Sequence, residues 1–232
     1  MDGTKANPKQ VAGRRAAELA RDGMVLGLGT GSTVLFTLQR LAERIAEEGL
    51  DLRGVPTSLD TERKAAALGI PLVGLDEVAR VDLTIDGADE VDPAFHLVKG
   101  GGGALLREKV VASISDREVI VVGPDKLVER LAARFPLPVE VAPFARPVVA
   151  RALTARGFEP HLRVHQGGEP FRTDNGNEVL DARFPGGLSD PATTERELLA
   201  IPGVVECGLF VGLCHALVIG HPDGRAELRE RS

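Results

Sequence analysis

The sequence predicts an α/β protein with two domains: an open, doubly wound, mostly parallel (Rossmann-like) sheet and a second, smaller α+β domain of the ferredoxin-like type. Up to Val122, short apolar runs alternate with stretches of helical periodicity, which is the pattern of βαβ units. After Phe135-Pro-Leu-Pro138 the order of the predicted elements becomes approximately β-α-β-β-α-β. We therefore assign residues 1–132 and 208–232 to the α/β domain, and residues 133–207 to a small domain that we expect to take part in oligomerisation.

The first domain is predicted from apolar strands that end near glycine, proline or aspartate, with helices between them. Pro8–Arg21 is amphipathic and is followed by Asp22-Gly23, which predicts a first helix. Further helices are predicted over Val34–Glu48, Asp60–Leu68 with Asp60 as N-cap, and Ala104–Ser115. Strands are predicted over Met24–Leu28, Leu52–Pro56, Ile70–Val73, Val81–Ile85 and Glu118–Val122, and Ala216–Ile219 and Ala226–Leu228 are expected to return to this domain.

The second domain is predicted from shorter strands, two helices and one clear turn. The turn is Asp174-Asn-Gly-Asn177, a sequence typical of a reversal between strands. The helices are predicted over Arg146–Arg156, which Gly157 ends, and over Thr193–Leu199. The strands are predicted over Val139–Ala142, Pro160–Val164, Phe171–Thr173, Glu178–Phe184 and Val204–Val211.

Composition excludes several classes of protein. The chain has 232 residues, of which 43% are hydrophobic and 27% charged, as in an ordinary globular protein. The net charge of −6 and the absence of Trp and Tyr argue against a nucleic-acid partner. No apolar run is long enough to span a membrane, and Met1–Lys5 lacks the apolar stretch of a signal peptide. We therefore expect a cytoplasmic protein whose two cysteines, Cys207 and Cys214, form neither a metal nor a redox motif.

The most informative segment is a lysine followed by four glycines and a helical run. Lys99 precedes Gly100–Gly103, and Glu108 follows within the predicted helix. Four glycines lose much conformational entropy on folding, but they leave backbone N–H groups accessible to an oxygen or an anion. A lysine and a glutamate at the two ends of such a loop indicate an electrophile and a base around a small oxygenated substrate.

A second glycine-rich loop, Gly27-Leu-Gly-Thr-Gly-Ser-Thr33, links a strand to a helix and predicts a phosphate site. A dinucleotide fingerprint would place glycine at position 32, which is Ser32, and a Walker A loop would contain a lysine. A smaller phosphate is therefore favoured over a nucleotide. The alternative is a tight βα turn with Ser32 as N-cap. Lys9 could reach the same phosphate, although a lone N-terminal lysine is usually only solvated.

An acidic segment, Asp86-Gly-Ala-Asp-Glu-Val-Asp92, follows a predicted strand. Asp86 and Asp89 could hold sugar hydroxyls or exchange protons with them, and the small Gly87 and Ala88 favour a tight backbone. A Mg²⁺ site is a second interpretation, because clustered carboxylates suit hard cations. A solvated acidic loop is the third. Glu90 and Asp92, which lie in the same segment, are weaker candidates for contact with a ligand.

Helical periodicity places Glu108 in an apolar arc with Ala104, Leu105, Val111 and Ala112. A carboxylate in such surroundings is partly desolvated and suited to act as a base. The alternative is that Arg107-Glu-Lys109 is a solvated run of charges. Lys126 follows another predicted strand and could bind an anion, although its local sequence favours a surface lysine.

Taken together, these segments resemble the ribose-5-phosphate isomerases of the A type. The resemblance rests on Gly29-Thr-Gly-Ser-Thr33, Asp86-Gly-Ala-Asp-Glu90, Lys99-Gly-Gly-Gly102 and Arg107-Glu-Lys109, in the order and approximate spacing of that family. It extends through Phe135-Pro-Leu-Pro-Val-Glu-Val141, Thr173-Asp-Asn-Gly-Asn177 and Ile201-Pro-Gly-Val204, and so covers nearly the whole chain.

The resemblance implies interconversion of ribose 5-phosphate and ribulose 5-phosphate, without a metal ion or an organic cofactor. It implies that Glu108 is the base and that Asp86 and Lys99 assist ring opening and proton transfer on the oxygens. It also implies a homodimer or a higher homo-oligomer, and from the composition we expect no nucleic-acid or membrane partner. The substrate-binding residues that it implies are Thr30, Gly31, Ser32, Thr33, Asp86, Gly87, Ala88, Asp89, Lys99, Gly100, Gly101, Gly102 and Lys126, and Lys9 is added as a candidate from its charge.

Three other functions are consistent with parts of the pattern. In a protein of the CoA-transferase type, Glu108 would be a nucleophile, although no site for a long CoA arm is evident. A sugar-phosphate sensor would keep the phosphate loop, but it would give no purpose to Lys99 and Glu108. A metal-dependent isomerase would use the acidic segment, and its activity would respond to a chelator.

Overall fold

The computed structural model describes residues 6–231. The helices are α1 (Pro8–Ala17), α2 (Val34–Glu48), α3 (Leu59–Ala67), α4 (Leu105–Ser113), α5 (Arg146–Thr154) and α6 (Pro191–Leu199). The strands are β1 (Met24–Leu28), β2 (Leu52–Pro56), β3 (Leu83–Gly87), β4 (Glu90–Val91), β5 (Leu97–Val98), β6 (Glu118–Val122), β7 (Leu137–Val141), β8 (Glu159–Leu162), β9 (Glu178–Arg183), β10 (Val204–Cys207), β11 (Leu209–Phe210), β12 (Ala216–Gly220) and β13 (Ala226–Glu230).

The chain divides into two compact units whose boundaries differ from the predicted 1–132 with 208–232 and 133–207. The first unit contains the described residues up to Ala88, Arg107–Lys126 and the chain from Leu213 onward. The second contains Asp89–Leu106 and Leu127–Gly212. A small sheet of order β11-β5-β4 explains the assignment of 89–106, because it joins that segment to β11 by backbone hydrogen bonds within the second unit.

The first unit is built on a sheet of order β13-β12-β6-β3-β1-β2, which confirms the predicted open, mostly parallel architecture. All neighbouring strands are parallel except β12 and β13, which form an antiparallel pair. Strand β1 pairs with β2 on one side and with β3 on the other, so the direction of winding reverses at β1. Ligands of open α/β sheets bind beyond the carboxyl ends of the strands at such a point.

The core of the first unit explains why its strands read as continuous apolar runs. Residues of β1, β3 and β6 share one apolar cluster with α1 and α2, as in sheets covered on their faces by helices. Helix α1 approaches β12 closely, because a Cβ on Gly220 would lie 1.9 Å from the carbonyl oxygen of Pro8. Glycine at this position therefore permits the helix to lie directly on the strand.

The second unit contains an antiparallel sheet of order β10-β7-β9-β8 with helices α5 and α6. Along the chain the elements follow the order β-α-β-β-α-β, which confirms the predicted ferredoxin-like arrangement. Its core contains apolar residues from both helices and from the sheet. Alternate residues of β7 belong to this core, namely Leu137, Val139 and Val141.

Two predicted strands are wrong. Ile70–Val73 makes only an isolated bridge, in which Gly54 and Leu72 are partners, because its backbone bonds are confined to the two sides of Gly54. Phe171–Thr173 is not a strand either. The residue before it, Pro170, has no N–H to donate, and the pairing stops at an isolated bridge between Val164 and Pro170 and one bond from the N–H of Phe171 to the carbonyl oxygen of Arg163.

Several predicted boundaries also shift because capping and turn bonds decide them. Helix α1 ends at Ala17, before the predicted Arg21. Helix α3 has Ser58 as N-cap, whose side chain accepts the N–H of Thr61, and the predicted cap Asp60 instead lies in the first turn. The predicted strand Val204–Val211 is interrupted at Gly208, whose N–H donates to Pro138 and whose carbonyl accepts the N–H of Lys99.

Within residues 6–231, no helix is both long and apolar enough to cross a membrane. In the same part of the chain, no group of three or more His, Cys, Asp or Glu side chains is arranged to hold a metal ion. The segment Met1–Lys5, on which the expectation of a missing signal peptide was based, lies outside the described residues.

Candidate active site

The predicted phosphate loop follows β1 and is held by a cluster of hydroxyl groups. The hydroxyl of Thr30 lies 2.9 Å from that of Thr57 and 2.8 Å from that of Ser58. Thr57 also donates to the carbonyl oxygen of Leu28 at 3.0 Å. Gly31 has a φ of 117°, a conformation that L side chains rarely adopt, and Ser32 is exposed. The N-cap of α2 is Thr33 rather than Ser32, and the Thr33 side chain makes no capping hydrogen bond.

Asp86, at the end of β3, fixes the same loop. Its Oδ1 accepts the N–H of Thr30 at 3.0 Å and that of Gly87 at 2.7 Å. A Cβ on Gly29 would lie 2.2 Å from this oxygen, so only glycine allows the close approach. The Asp86 side chain is 1% exposed. The residue predicted to exchange protons with a sugar therefore also orders the loop predicted to bind phosphate.

Several predicted residues of the first unit line one cavity of about 160 Å³ beyond the carboxyl ends of β3 and β6. Its lining includes Lys9, Thr33, Gly87, Ala88 and Lys126. The ammonium group of Lys9 donates to the hydroxyl of Ser32 at 2.9 Å. Two lysines and Thr33, the N-cap residue of α2, give one side of the cavity the chemistry of an anion site, and the carboxylate of Asp125 also lines it. Lys126, for which the local sequence favoured a surface position, is half-buried and lines this cavity.

Glu108 lies in α4 and is 5% exposed, as its predicted apolar arc requires. Its helix neighbours Val111 and Ala112 are buried, while Arg107 and Lys109 are half-buried on either side. The alternative of a solvated charge run is therefore wrong for Glu108. A carboxylate with little access to water is suited to accept and return a proton.

In the second unit, Lys99 is also buried, with 2% of its surface exposed. Its N–H donates to the carbonyl oxygen of Gly208 at 2.8 Å, and its ammonium nitrogen lies 5.4 Å from the ring centroid of Phe210. The ring face attracts a cation and holds this ammonium in a defined position. A buried, positioned cation of this kind can stabilise negative charge on a nearby oxygen.

The glycine loop after Lys99 is a tight turn in which two N–H groups are already used. Gly100 and Gly103 have φ values of 100° and 80°, and the N–H of Gly103 donates to the carbonyl of Gly100 at 2.9 Å. The N–H of Gly101 donates to Oδ2 of Asp89 at 2.8 Å. The expectation that the whole run from Gly100 to Gly103 supplies free donors is therefore too broad. Among residues 6–231, the N–H of the exposed Gly102 meets no acceptor.

Glu90 and Asp92, the weaker candidates of the acidic segment, accept hydrogen bonds from backbone N–H groups. The carboxylate of Glu90 accepts the N–H groups of Ala132, Arg134 and Phe135 at 2.6 to 2.8 Å. Oδ1 of Asp92 accepts the N–H groups of two residues in the turn that follows it, at 2.8 and 2.9 Å. These two carboxylates are therefore occupied as structural acceptors.

Thr57, Ser58 and Arg163 also contact these loops, and the sequence carries a signal for only the first two of them. Thr57 and Ser58 could have been found, because they are hydroxyl residues at the carboxyl end of β2, beside β1. Arg163 carries no such signal. It lies far along the chain, yet its guanidinium donates to the carbonyls of Gly100 and Gly101 at 2.9 and 3.2 Å.

Comparison with known proteins agrees with this arrangement. The family model described as ribose 5-phosphate isomerase A (phosphoriboisomerase A) matches residues 53–224. A relative from Gloeobacter violaceus named ribose-5-phosphate isomerase A is 54% identical over 217 residues, which are 93% of each chain. A relative of the same name from Thermosynechococcus vestitus is 50% identical and covers 96% of this chain and 95% of its own.

Solved structures show the same likeness in three dimensions. Ribose 5-phosphate isomerase A from Methanocaldococcus jannaschii superposes with a TM-score of 0.91 at 40% identity, over 96% of this chain and 97% of the other. A D-ribose-5-phosphate isomerase in complex with phospho-erythronic acid gives a TM-score of 0.94 at 37% identity, over 97% of this chain and all of the other.

Proposed function

Because the chain belongs to the ribose 5-phosphate isomerase A family, we propose that it interconverts ribose 5-phosphate and ribulose 5-phosphate, with Glu108 as the base. The observation that most supports this role is the burial of Glu108 in α4, the helix that follows the glycine loop directly along the chain. The solved relative that binds phospho-erythronic acid supports a phosphorylated sugar as ligand.

The phosphate is proposed to bind at the loop after β1. Thr30, Gly31, Ser32 and Thr33 supply hydroxyl and N–H donors, and Lys9 and Lys126 supply positive charge at the cavity that both residues line. Asp86 holds the loop in shape through the N–H of Thr30. Binding energy at the phosphate, which does not react, positions the sugar for chemistry at its other end.

The reaction moves one proton between two carbons. The carboxylate of Glu108 removes the proton from C2 of the open-chain aldose, the electron pair forms the C1–C2 double bond, and the C1 carbonyl becomes the oxyanion of an enediolate. A proton then moves from O2 to O1, and return of the carbon proton to C1 with formation of the C2 carbonyl gives the ketose. A carboxylate is a weak base for such a carbon acid, so the oxyanion must be stabilised. Lys99 and the N–H of Gly102 are proposed as its donors.

Asp86, Lys99 and Asp89 act on the oxygens of the sugar. Asp86 and Lys99 are proposed to move protons during ring opening and between the two oxygens of the enediolate. Asp89, whose Oδ2 accepts the N–H of Gly101, is proposed to hold substrate hydroxyls through its remaining acceptor capacity. We propose no metal ion and no organic cofactor for these steps.

The decisive experiment follows ribose 5-phosphate by NMR with purified protein in EDTA. Conversion to ribulose 5-phosphate is expected for the wild type. Glu108→Gln should lower kcat by about 10²–10⁴-fold, the usual contribution of a general base, while saturation-transfer NMR still detects bound sugar. Glu118→Gln, which changes another buried glutamate of the first unit, is the matched control and should retain turnover.

The possible outcomes separate the alternatives. Wild-type turnover in the Glu108→Gln variant would remove the base assignment. Binding without conversion by the wild type would favour a sensor. Activity that returns only with a divalent cation would favour a metal-dependent isomerase.

We also propose that the protein is a cytoplasmic homodimer or higher homo-oligomer. Phe144 is 99% exposed and Val148, nearby on α5, is 53% exposed, so this part of the second unit offers apolar surface to another copy. Cys207 and Cys214 are buried and are not joined in a disulfide, which is typical of a reducing compartment.

A further inference from the structure

Arg163, which directly follows β8, binds the glycine loop from its carbonyl side. Its Nη1 donates to the carbonyl oxygens of Gly100 at 2.9 Å and Gly101 at 3.2 Å. Its Nε and Nη2 donate to the two carboxylate oxygens of Asp181 at 2.9 and 2.5 Å. The Arg163 side chain is only 14% exposed. Every nitrogen of the guanidinium is therefore engaged either by the loop or by the residue that anchors it.

The two carbonyls that Arg163 binds belong to the same peptide groups as the N–H of Gly101 and the N–H of Gly102. The carbonyl of Gly100 shares a peptide with the N–H of Gly101, which donates to Asp89 at 2.8 Å. The carbonyl of Gly101 shares a peptide with the N–H of Gly102, the proposed oxyanion donor. A cation that binds a carbonyl oxygen polarises the whole peptide and makes its N–H a stronger donor, because linked hydrogen bonds reinforce one another.

We propose that Arg163 is a positioning residue for the isomerisation. It fixes and polarises the Gly100–Gly102 peptides, so that Gly101 orients Asp89 and Gly102 presents its N–H to the developing oxyanion. This inference rests on the proposed function. In this proposal Arg163 acts through the backbone of the loop, to which its Nη1 donates, and not by contact with the substrate. A preorganised donor is effective because it need not reorient as charge develops.

Asp181 and Phe171 hold the guanidinium in place. Asp181 lies on β9 and grips it with two parallel bonds, a geometry that lysine cannot reproduce. The ring of Phe171 lies with its centroid 5.6 Å from the guanidinium carbon. The same ring limits the space at Gly103, where a Cβ would lie 2.5 Å from it. Strand β9 and the segment containing Phe171 thus fix both Arg163 and the loop that Arg163 binds.

The test compares Arg163→Ala, Arg163→Lys and Asp181→Asn with the wild type, measuring kcat, KM and the thermal midpoint. Arg163→Ala should lower kcat by about 10²-fold, the scale of a misplacement of reacting groups by about an ångström, with KM changed less than about twofold. Arg163→Lys should recover part of the loss, because one ammonium can still reach a carbonyl. Asp181→Asn should give an intermediate kcat, since the guanidinium remains but its anchor is weakened.

Arg172→Ala is the matched control. Arg172 is also an arginine of the second unit paired with a carboxylate, Glu178, but it makes no bond to the glycine loop in the described structure. Added guanidinium ion should restore turnover to Arg163→Ala and leave Arg172→Ala unchanged.

The inference fails if Arg163→Ala keeps wild-type kcat, or if its loss of kcat matches that of Arg172→Ala and guanidinium gives no recovery. An inactive wild type would instead contradict the proposed function, so the two failures are distinguishable.

Discussion

At the scale of single residues, Gly103 shows how a glycine can be required for two separate reasons. Its φ of 80° lies in the left-handed region, and a Cβ there would also lie 2.5 Å from the ring of Phe171. Gly103→Ala should lower the free energy of unfolding by about 1–2 kcal/mol for the backbone and about 1–3 kcal/mol for overpacking. It should also lower kcat, because the turn that presents Gly102 is displaced. Urea denaturation and steady-state kinetics would measure the two effects.

Gly168→Ala separates the two reasons. Gly168 has a φ of 86°, but nothing lies within 4 Å of a Cβ at that position. Its alanine variant should show the backbone cost alone and keep its turnover. Equal losses in the two variants would mean that Phe171 exerts no steric limit on the loop.

The residues of the site differ in how far the sequence alone could predict them. Helical periodicity was sufficient to predict that Glu108 is buried, because a helix of known period fixes which face a residue shares. For Lys126, the local sequence favoured a surface position. It contains no information about the cavity that Lys126 lines, because that cavity is assembled from segments that are distant along the chain. Arg163 could not be predicted, because its contacts with Gly100 and Gly101 depend on tertiary structure and not on spacing.

At the scale of elements, the β12–β13 hairpin has a partly exposed cluster of charges around Glu227. The pKa of Glu227 is lowered to about 2, mainly by the hydrogen bond from Arg229 and further by His221. The contribution of the ionised carboxylate to stability is therefore fully present above the unfolded pKa of 4.5 and is lost as the pH falls through about 2.

Glu227→Gln should consequently lower the thermal midpoint at neutral pH, and this difference from the wild type should shrink as the pH falls from about 5 towards 2. Added salt should also reduce the difference, because the two arginines of the cluster are exposed to solvent. Thermal denaturation followed by circular dichroism across this pH range would measure it. Glu62→Gln, at an exposed glutamate of α3, is the control. A difference that grows on acidification would contradict the assignment.

The elements themselves divide into those that sequence pattern determines and those that distant contacts determine. The bounds of β1, α2, β2 and β6 match their predictions, because buried parallel strands and a capped amphipathic helix have strong local signals. The two-residue strands β4, β5 and β11 carry no such signal and depend on tertiary pairing, mainly with one another. The conformation of the turn Thr173–Asn177 also depends on a distant contact. The side chains of Thr173 and Asn177 both donate to the buried carboxylate of Glu140 at 2.8 Å.

At the scale of the whole molecule, the proposed oligomer depends on the apolar surface around Phe144. Phe144→Asp places a charge where a buried contact is expected, and it should convert the assembly to a single chain of 24.6 kDa. Size-exclusion chromatography with light scattering would give the mass. Leu75→Asp, at an apolar residue of the first unit that is 45% exposed, should leave the mass unchanged. A Phe144→Asp variant of wild-type mass would place the contact elsewhere.

The position of β12 in the sheet has a consequence for synthesis of the chain. Strand β12 lies between β6 and β13, yet the whole of Leu127–Gly212 separates β6 from β12 along the chain. Translation proceeds at roughly 5–20 residues per second, so the apolar edge of β6 stays unpaired for on the order of ten seconds before β12 is synthesised. The second unit is complete before β12 emerges. Until then the nascent protein carries an incomplete sheet with an exposed apolar edge, which must not aggregate.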